Sequence, residues 1–191
     1  MRKVAVITWM LACSSVAMTQ EHRDLDAHEH GVGTLNIAIE GNEIAMELRA
    51  PGADIVGFEH PAETDEDRRL VDTAIVTLGS PGNVLSINED AQCKTSAAEA
   101  ELHGDSKHHD DHDDDHHGDD HDDHDKPGHT EFHAEYAFSC AAGDQIQQIE
   151  FGYFAAFPNA RKLAVQLISD RGSMGFEVTS DNPVLDLQGA H

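Results

Sequence analysis

The feature that most restricts the fold is a tract in mid-chain that cannot fold by itself. Residues 103–129 hold nine histidines and eleven aspartates in 27 positions, and no aliphatic or aromatic hydrophobe. With no apolar area to bury, such a tract cannot offset the entropy of ordering its backbone, so it is expected to be disordered without metal. The fold must come from the two flanks, about 28–102 and 130–188, which have to meet around it. Cys93 and Cys140 bracket the tract. If they bridge, the tract is a long loop closed at its base and not a linker between domains. In the chain-entropy description a loop of about 48 residues gains about 4 kcal/mol from such a bridge. Two free buried thiols are the alternative.

The first flank opens with an alternation. Leu35, Ile37 and Ile39 are separated by smaller or polar residues, as are Ile44, Met46 and Leu48, with Gly41-Asn42 between the runs. A two-residue turn there pairs Ile39 with Ile44, Ile37 with Met46 and Leu35 with Leu48, so turn chemistry and apolar register agree. Thr64 then offers a helix N-cap, and Asp65, Glu66 and Asp67 suit the positive end of the helix dipole. Leu70, Val71, Ala74, Ile75 and Leu78 recur at helical spacing until Gly79 and Pro81 end the run. Val84, Leu85 and Ile87 suggest a short strand leading to Cys93. In the second flank Phe132, Ala134, Tyr136, Phe138 and Cys140 share one face of a strand, with Glu131, His133 and Glu135 on the other. Two more strands run through Leu163-Val165-Leu167 and Met174-Phe176-Val178. A turn near Arg171-Gly172 would pair Leu167 with Phe176 and Val165 with Val178. The expected fold is α+β, a mostly antiparallel sheet with one main helix and the long His/Asp-rich loop.

The chain opens with Arg2-Lys3 and a short apolar run, Val4 to Ala12, too short for an ordinary membrane helix. Ser15-Val16-Ala17 supplies the small residues of a signal-peptidase site, so residues 1–17 are expected to be removed and 18–191 to form one domain. Leu11-Ala12-Cys13-Ser14 offers the alternative of a lipoprotein anchored through Cys13. Export to an oxidising compartment favours the Cys93–Cys140 disulfide. The formal net charge is −25. Nucleic acid and anionic membranes are bound through Lys and Arg, so this surface disfavours both and favours cations.

The chemistry of the tract follows from its ligands. His103, His108, His109, His112, His116, His117, His121, His124 and His129 supply imidazoles, which suit Zn²⁺, Cu²⁺ and Ni²⁺. Aspartates can complete a shell or orient a ligating ring from outside it. Spacings such as His108/His112 and His117/His121 allow many overlapping shells, so several weak exchangeable ions are expected. Calcium is the rival, since Asp113-x-Asp115 followed by Gly118 resembles part of an EF-hand loop. His117 and His124 stand where oxygen ligands belong, which argues against it.

Histidines outside the tract could build a better-ordered site. His28 and His30 lie two apart before the first strand, His60 precedes the helix, and His133 lies on the outward face of a strand. Glu29 and Glu59 are placed to accept from the free imidazole N–H groups. The alternative for each of these histidines is a purely structural role. His28-Glu29 lacks the second histidine of a zinc-protease helix, and neither a Ser-His-Asp signature nor a phosphate loop is present, so no enzymatic activity is expected.

Four segments in this order, His28-Glu29-His30-Gly31, Gly57-Phe58-Glu59-His60, the His/Asp tract between Cys93 and Cys140, and Phe154-Ala155-Ala156-Phe157-Pro158-Asn159, resemble the ZrgA-type periplasmic zinc uptake proteins of Gram-negative bacteria. The resemblance spans essentially the whole mature chain. It implies a periplasmic protein that binds Zn²⁺ through His28, His30, His60 and the tract, and assists a zinc ABC transporter or its periplasmic binding protein. It also implies that the tract is variable. A buffer against excess zinc, copper or nickel is the alternative function.

Overall fold

A computed structural model describes residues 29–104 and 129–191. The N-terminal segment with Cys13 and Ala17, His28, and the tract histidines His108, His109, His112, His116, His117, His121 and His124 lie outside the described residues. Strands β1 (Val32–Glu40) and β2 (Glu43–Pro51) form the hairpin expected from their alternation. Ile39 faces Ile44, Ile37 faces Met46 and Leu35 faces Leu48. Gly41 takes a positive φ of 57° in the turn, a conformation glycine adopts without a Cβ penalty.

A single helical turn, α1 (Gly52–Ile55), follows directly, and a loop leads to the main helix, α2 (Asp65–Leu78). Thr64 caps α2 with a full capping box. Its hydroxyl accepts from the Asp67 N–H at 3.1 Å, and the Asp67 carboxylate accepts from the Thr64 N–H at 3.0 Å. The buried stripe of α2 is Val71, Ala74 and Leu78. Leu70, expected on that face, is 45% exposed, because the helix–sheet contact is narrower than the apolar spacing suggested.

Short strand β3 (Ser86–Ile87) is all that forms where Val84, Leu85 and Ile87 suggested a strand. Val84 and Leu85 are buried instead in the turn before it. Strand β4 (Cys93–Gly104), not anticipated, runs antiparallel beside β5 (Thr130–Cys140). Alanines and glutamates are its commonest residues and it buries none fully, so no apolar alternation betrays it. His103 and Gly104 therefore belong to a strand, and the tract leaves the sheet between Gly104 and Thr130, which face each other. Cys93 and Cys140 are disulfide-bonded, as expected from the sequence, but at the opposite end of the hairpin. About 35 Å of strand, at roughly 3.4 Å per residue, separates them from the base of the tract. It is the β4–β5 ladder that closes that base.

The chain continues through β6 (Gln148–Glu150), the turn α3 (Tyr153–Ala156), β7 (Lys162–Ser169), β8 (Gly172–Thr179) and β9 (Val184–Asp186). The large sheet has the order β4-β5-β2-β1-β7-β8, and β3-β6-β9 form a small second sheet. All pairs are antiparallel except β1 with β7, which is parallel. The β7–β8 register differs from expectation by two residues. Leu167 faces Met174, Val165 faces Phe176 and Leu163 faces Val178, because the turn is Asp170-Arg171 with Gly172 already in β8. A shift of two leaves every side chain on its own face, so the apolar pattern could not distinguish the two registers.

One face of the large sheet forms the core with α2, the small sheet and the segment from Phe151 to Phe157. The Tyr136 hydroxyl crosses that core to donate to the Leu78 carbonyl at 2.9 Å, joining sheet to helix end. The other face is open and lined by polar residues and alanines. Among the described residues no helix is long and apolar enough to cross a membrane.

Candidate metal centre

Four chain segments converge where the tract leaves the sheet: the turn before β1, α1 at the end of β2, the loop before α2, and the start of β5. The first is held from two sides. Gly31 donates its N–H to buried Asp54 at 2.7 Å, and its carbonyl accepts from the N–H groups of Arg161 and Lys162, both at 2.9 Å. Gly31 has φ of 86°, which suits glycine. These contacts fix the position of His30.

The loop before α2 is held by close approach. A Cβ on Gly52 would lie 2.3 Å from Thr130 Oγ1 and 2.6 Å from the Phe58 carbonyl oxygen. Only glycine lets the end of β2, the start of β5 and the 57–60 loop come so near. In that loop the rings of Phe58 and His60 stack at 4.6 Å, which turns Glu59 between them the other way. Its side chain is 16% exposed.

Glu59 is the hub of the site. Its Oε2 lies 2.8 Å from His129 Nδ1 in a hydrogen bond. Its Oε1 lies 3.0 Å from His30 Nε2, a contact too poorly angled to count as a hydrogen bond, so this buried oxygen lacks a donor among the described residues. Burial raises the Glu59 pKa, but the His129 and His30 interactions outweigh it and hold the carboxyl below the usual glutamate range. Asp54 lies behind His30 and is 2% exposed. Its Oδ2 is buried without a hydrogen-bond partner among the described residues, and burial pushes its pKa up despite the Gly31 N–H.

The structure thus joins His30 with His129 through Glu59. His60 stands apart from this trio, with Nδ1 2.9 Å from the Pro61 carbonyl. His103 and His133 lie together on the outward face of β4 and β5, with ring centroids 4.0 Å apart. His103 Nε2 is 2.7 Å from Glu101, and His133 Nε2 is hydrogen-bonded to Glu131. The sequence marked Glu59 as an acceptor for a neighbouring imidazole. It did not show that the imidazoles would be His30 and His129, residues far from it in the chain.

As they stand, Glu59 is hydrogen-bonded to His129 and only ion-paired with His30. Among the described residues no group of three or more His, Cys, Asp or Glu is placed to hold a metal ion. The His30/Glu59/His129 contacts are nevertheless close to the roughly 3.3 Å that separates neighbouring ligands of a tetrahedral Zn²⁺ with bonds near 2.0–2.1 Å. To hold an ion the three side chains would have to turn toward a common point, with the ion in place of the His129–Glu59 proton. That would give two imidazoles and a carboxylate with a fourth position facing solvent, an open and exchangeable shell rather than a closed structural one.

No curated protein matches the chain. The model of one family, described as ZrgA family zinc uptake protein, matches residues 27–187. That span includes both flanks, the His30/Glu59/His129 cluster and the tract, and the chain belongs to the ZrgA family of zinc uptake proteins.

Proposed function

We propose that the protein is a periplasmic zinc-binding accessory that captures Zn²⁺ and assists a zinc ABC uptake system. The tract, with its nine histidines, collects several ions weakly, because each filling must order the chain. The folded end, at His30, Glu59 and His129, holds one ion more tightly, because the fold already keeps its ligands close together and less chain has to be ordered. The observation that carries this reading is the position of that cluster at the point where the tract leaves the sheet, with His129 belonging to both. An ion released by the tract is then already beside the ordered ligands. His28, next to the cluster in sequence, is a further candidate ligand. His60, facing away, has the weaker claim. The role is binding and transfer, not catalysis.

Zinc titration of the full-length protein tests this. Several ions per chain are expected, one of them tighter than the rest. Replacing His30 and His129 with Gln should remove the tight ion and leave the weak ones. An unchanged titration would show that the cluster is structural. A buffering role against excess metal would give the same titration, and growth separates the two. Loss of the gene should impair growth under zinc chelation if the role is uptake, and under zinc excess if it is buffering.

A further inference from the structure

The outward face of the β4–β5 hairpin carries a second set of ligand-type side chains that the cluster above does not use. Strand alternation places Glu99, Glu101 and His103 on that face opposite Glu135, His133 and Glu131. His103 faces Glu131 and Glu101 faces His133, so imidazole and carboxylate alternate at the four corners of a square. The two imidazoles, diagonal across it, stack at 4.0 Å with their planes 22° apart. His133 and Glu131 are largely covered, with side chains 21% and 20% exposed.

The next rung adds further carboxylates, within the field of Arg49. Glu99 faces Glu135 directly, and on its other side Glu135 faces Glu47 of β2. Like charges directly opposite one another weaken a sheet. The basic side chain of the adjoining β2 rung, Arg49, is engaged by Glu47.

We propose that this square is a second divalent-cation site, with His103 and His133 as imidazole ligands and Glu101 and Glu131 as carboxylate ligands. In the form described here each Nε2 meets a carboxylate of its own strand. These four groups do not surround a metal position as they stand, so the two rings must unstack for both Nε2 atoms to point at one ion, which then takes the place of those two protons. Two imidazoles select a borderline ion such as Zn²⁺, Cu²⁺ or Ni²⁺ over Mg²⁺ or Ca²⁺, which prefer all-oxygen shells. The site lies one strand position beyond the base of the tract, on the open face of the sheet. It goes beyond the function proposed above, since the His30/Glu59/His129 ion does not depend on it.

The test uses the full-length chain with the seven histidines of residues 105–128 replaced by Gln, and Zn²⁺ itself as the probe, counted by equilibrium dialysis and native mass spectrometry. This parent should bind two ions. Adding H103Q/H133Q should leave one, and adding H30Q/H129Q instead should also leave one. Two ions retained after H103Q/H133Q overturns the proposal. One ion in the parent, lost with H30Q/H129Q but kept with H103Q/H133Q, overturns it while sparing the function proposed above. One ion lost only with H103Q/H133Q supports it and removes the other. If H103Q/H133Q does not fold, E101Q/E131Q decides, because it keeps both rings. Affinity for one ion should then fall at least about tenfold, and an unchanged affinity overturns the proposal.

Discussion

Asp54 and Glu59 are carboxylates a few residues apart whose ionisation the fold treats in opposite ways. Imidazoles hold the Glu59 carboxyl down, whereas burial pushes Asp54 up, with Oδ1 on the Gly31 N–H and Oδ2 without a hydrogen-bond partner among the described residues. A carboxyl whose folded pKa is raised adds stability that is full below its unfolded pKa and is lost as pH rises through the folded value. Asp54 should therefore make the protein less stable as pH climbs from about 4 towards neutrality. In Asp54→Asn the acceptor for Gly31 remains and nothing ionises, so this decline should disappear. Asp54→Ala should lose about 1–3 kcal/mol at every pH, because the Gly31 N–H is left buried and unpaired. Urea unfolding in chelator between pH 4 and 7 checks both. An Asn variant with the wild-type pH slope would show that Asp54 is not the cause. Both carboxylates are visible in the sequence. Their opposite treatment is not, because it comes from residues distant in the chain, His129 above all.

The elements divide into those that announce themselves and those that do not. The β1–β2 hairpin and α2 do so because turn, cap and apolar period agree locally. Strand β4 does not, because it lies at an edge and exposes most of both faces. The β7–β8 register also escapes, since a two-residue slip preserves the alternation. At the junction of β2, α1 and β5 a single glycine matters most. Gly52→Ala would drive a Cβ into Thr130 and the Phe58 carbonyl, and backbone must move to accept it. Overpacking of this kind costs about 1–3 kcal/mol. The shift should also move Glu59 away from His129 and weaken the tight zinc ion, although no ligand has changed. Thermal unfolding together with zinc titration tests this. Normal stability and affinity would mean the junction is looser than the contacts indicate.

Across the whole molecule, bond and ion are kept apart. The disulfide closes one end of the β4–β5 hairpin, and the His30/Glu59/His129 cluster lies at the other, where Gly104 and Thr130 face each other. On the function proposed above, zinc would therefore come and go without disturbing the covalent tie between the two flanks. Because imidazole must be neutral to ligate and its reference pKa is near 6.5, total zinc capacity should fall steeply between about pH 7 and pH 5. The ordered ion should leave at lower pH than the tract's ions, since tighter binding competes better with protons. Zinc content measured by dialysis across that range checks the order. A capacity flat down to pH 5 would mean that carboxylates alone bind the metal.

By itself the sequence determined the class of fold, the pairing of Cys93 with Cys140 and the kinds of ligand the chain carries. Ligand type, apolar period, turn residues and cysteine number are local or compositional properties, and each can be read without knowing what touches what. The tertiary structure decided which histidines share a partner. His30, Glu59 and His129 meet because β1, β2 and β5 are neighbours in one sheet and because Gly52 lets their ends crowd together. His60 is turned aside by its stack on Phe58. A metal site is a statement about distances of a few ångströms between residues distant in sequence. Such distances are set by sheet order and register, which neither composition nor spacing along the chain contains.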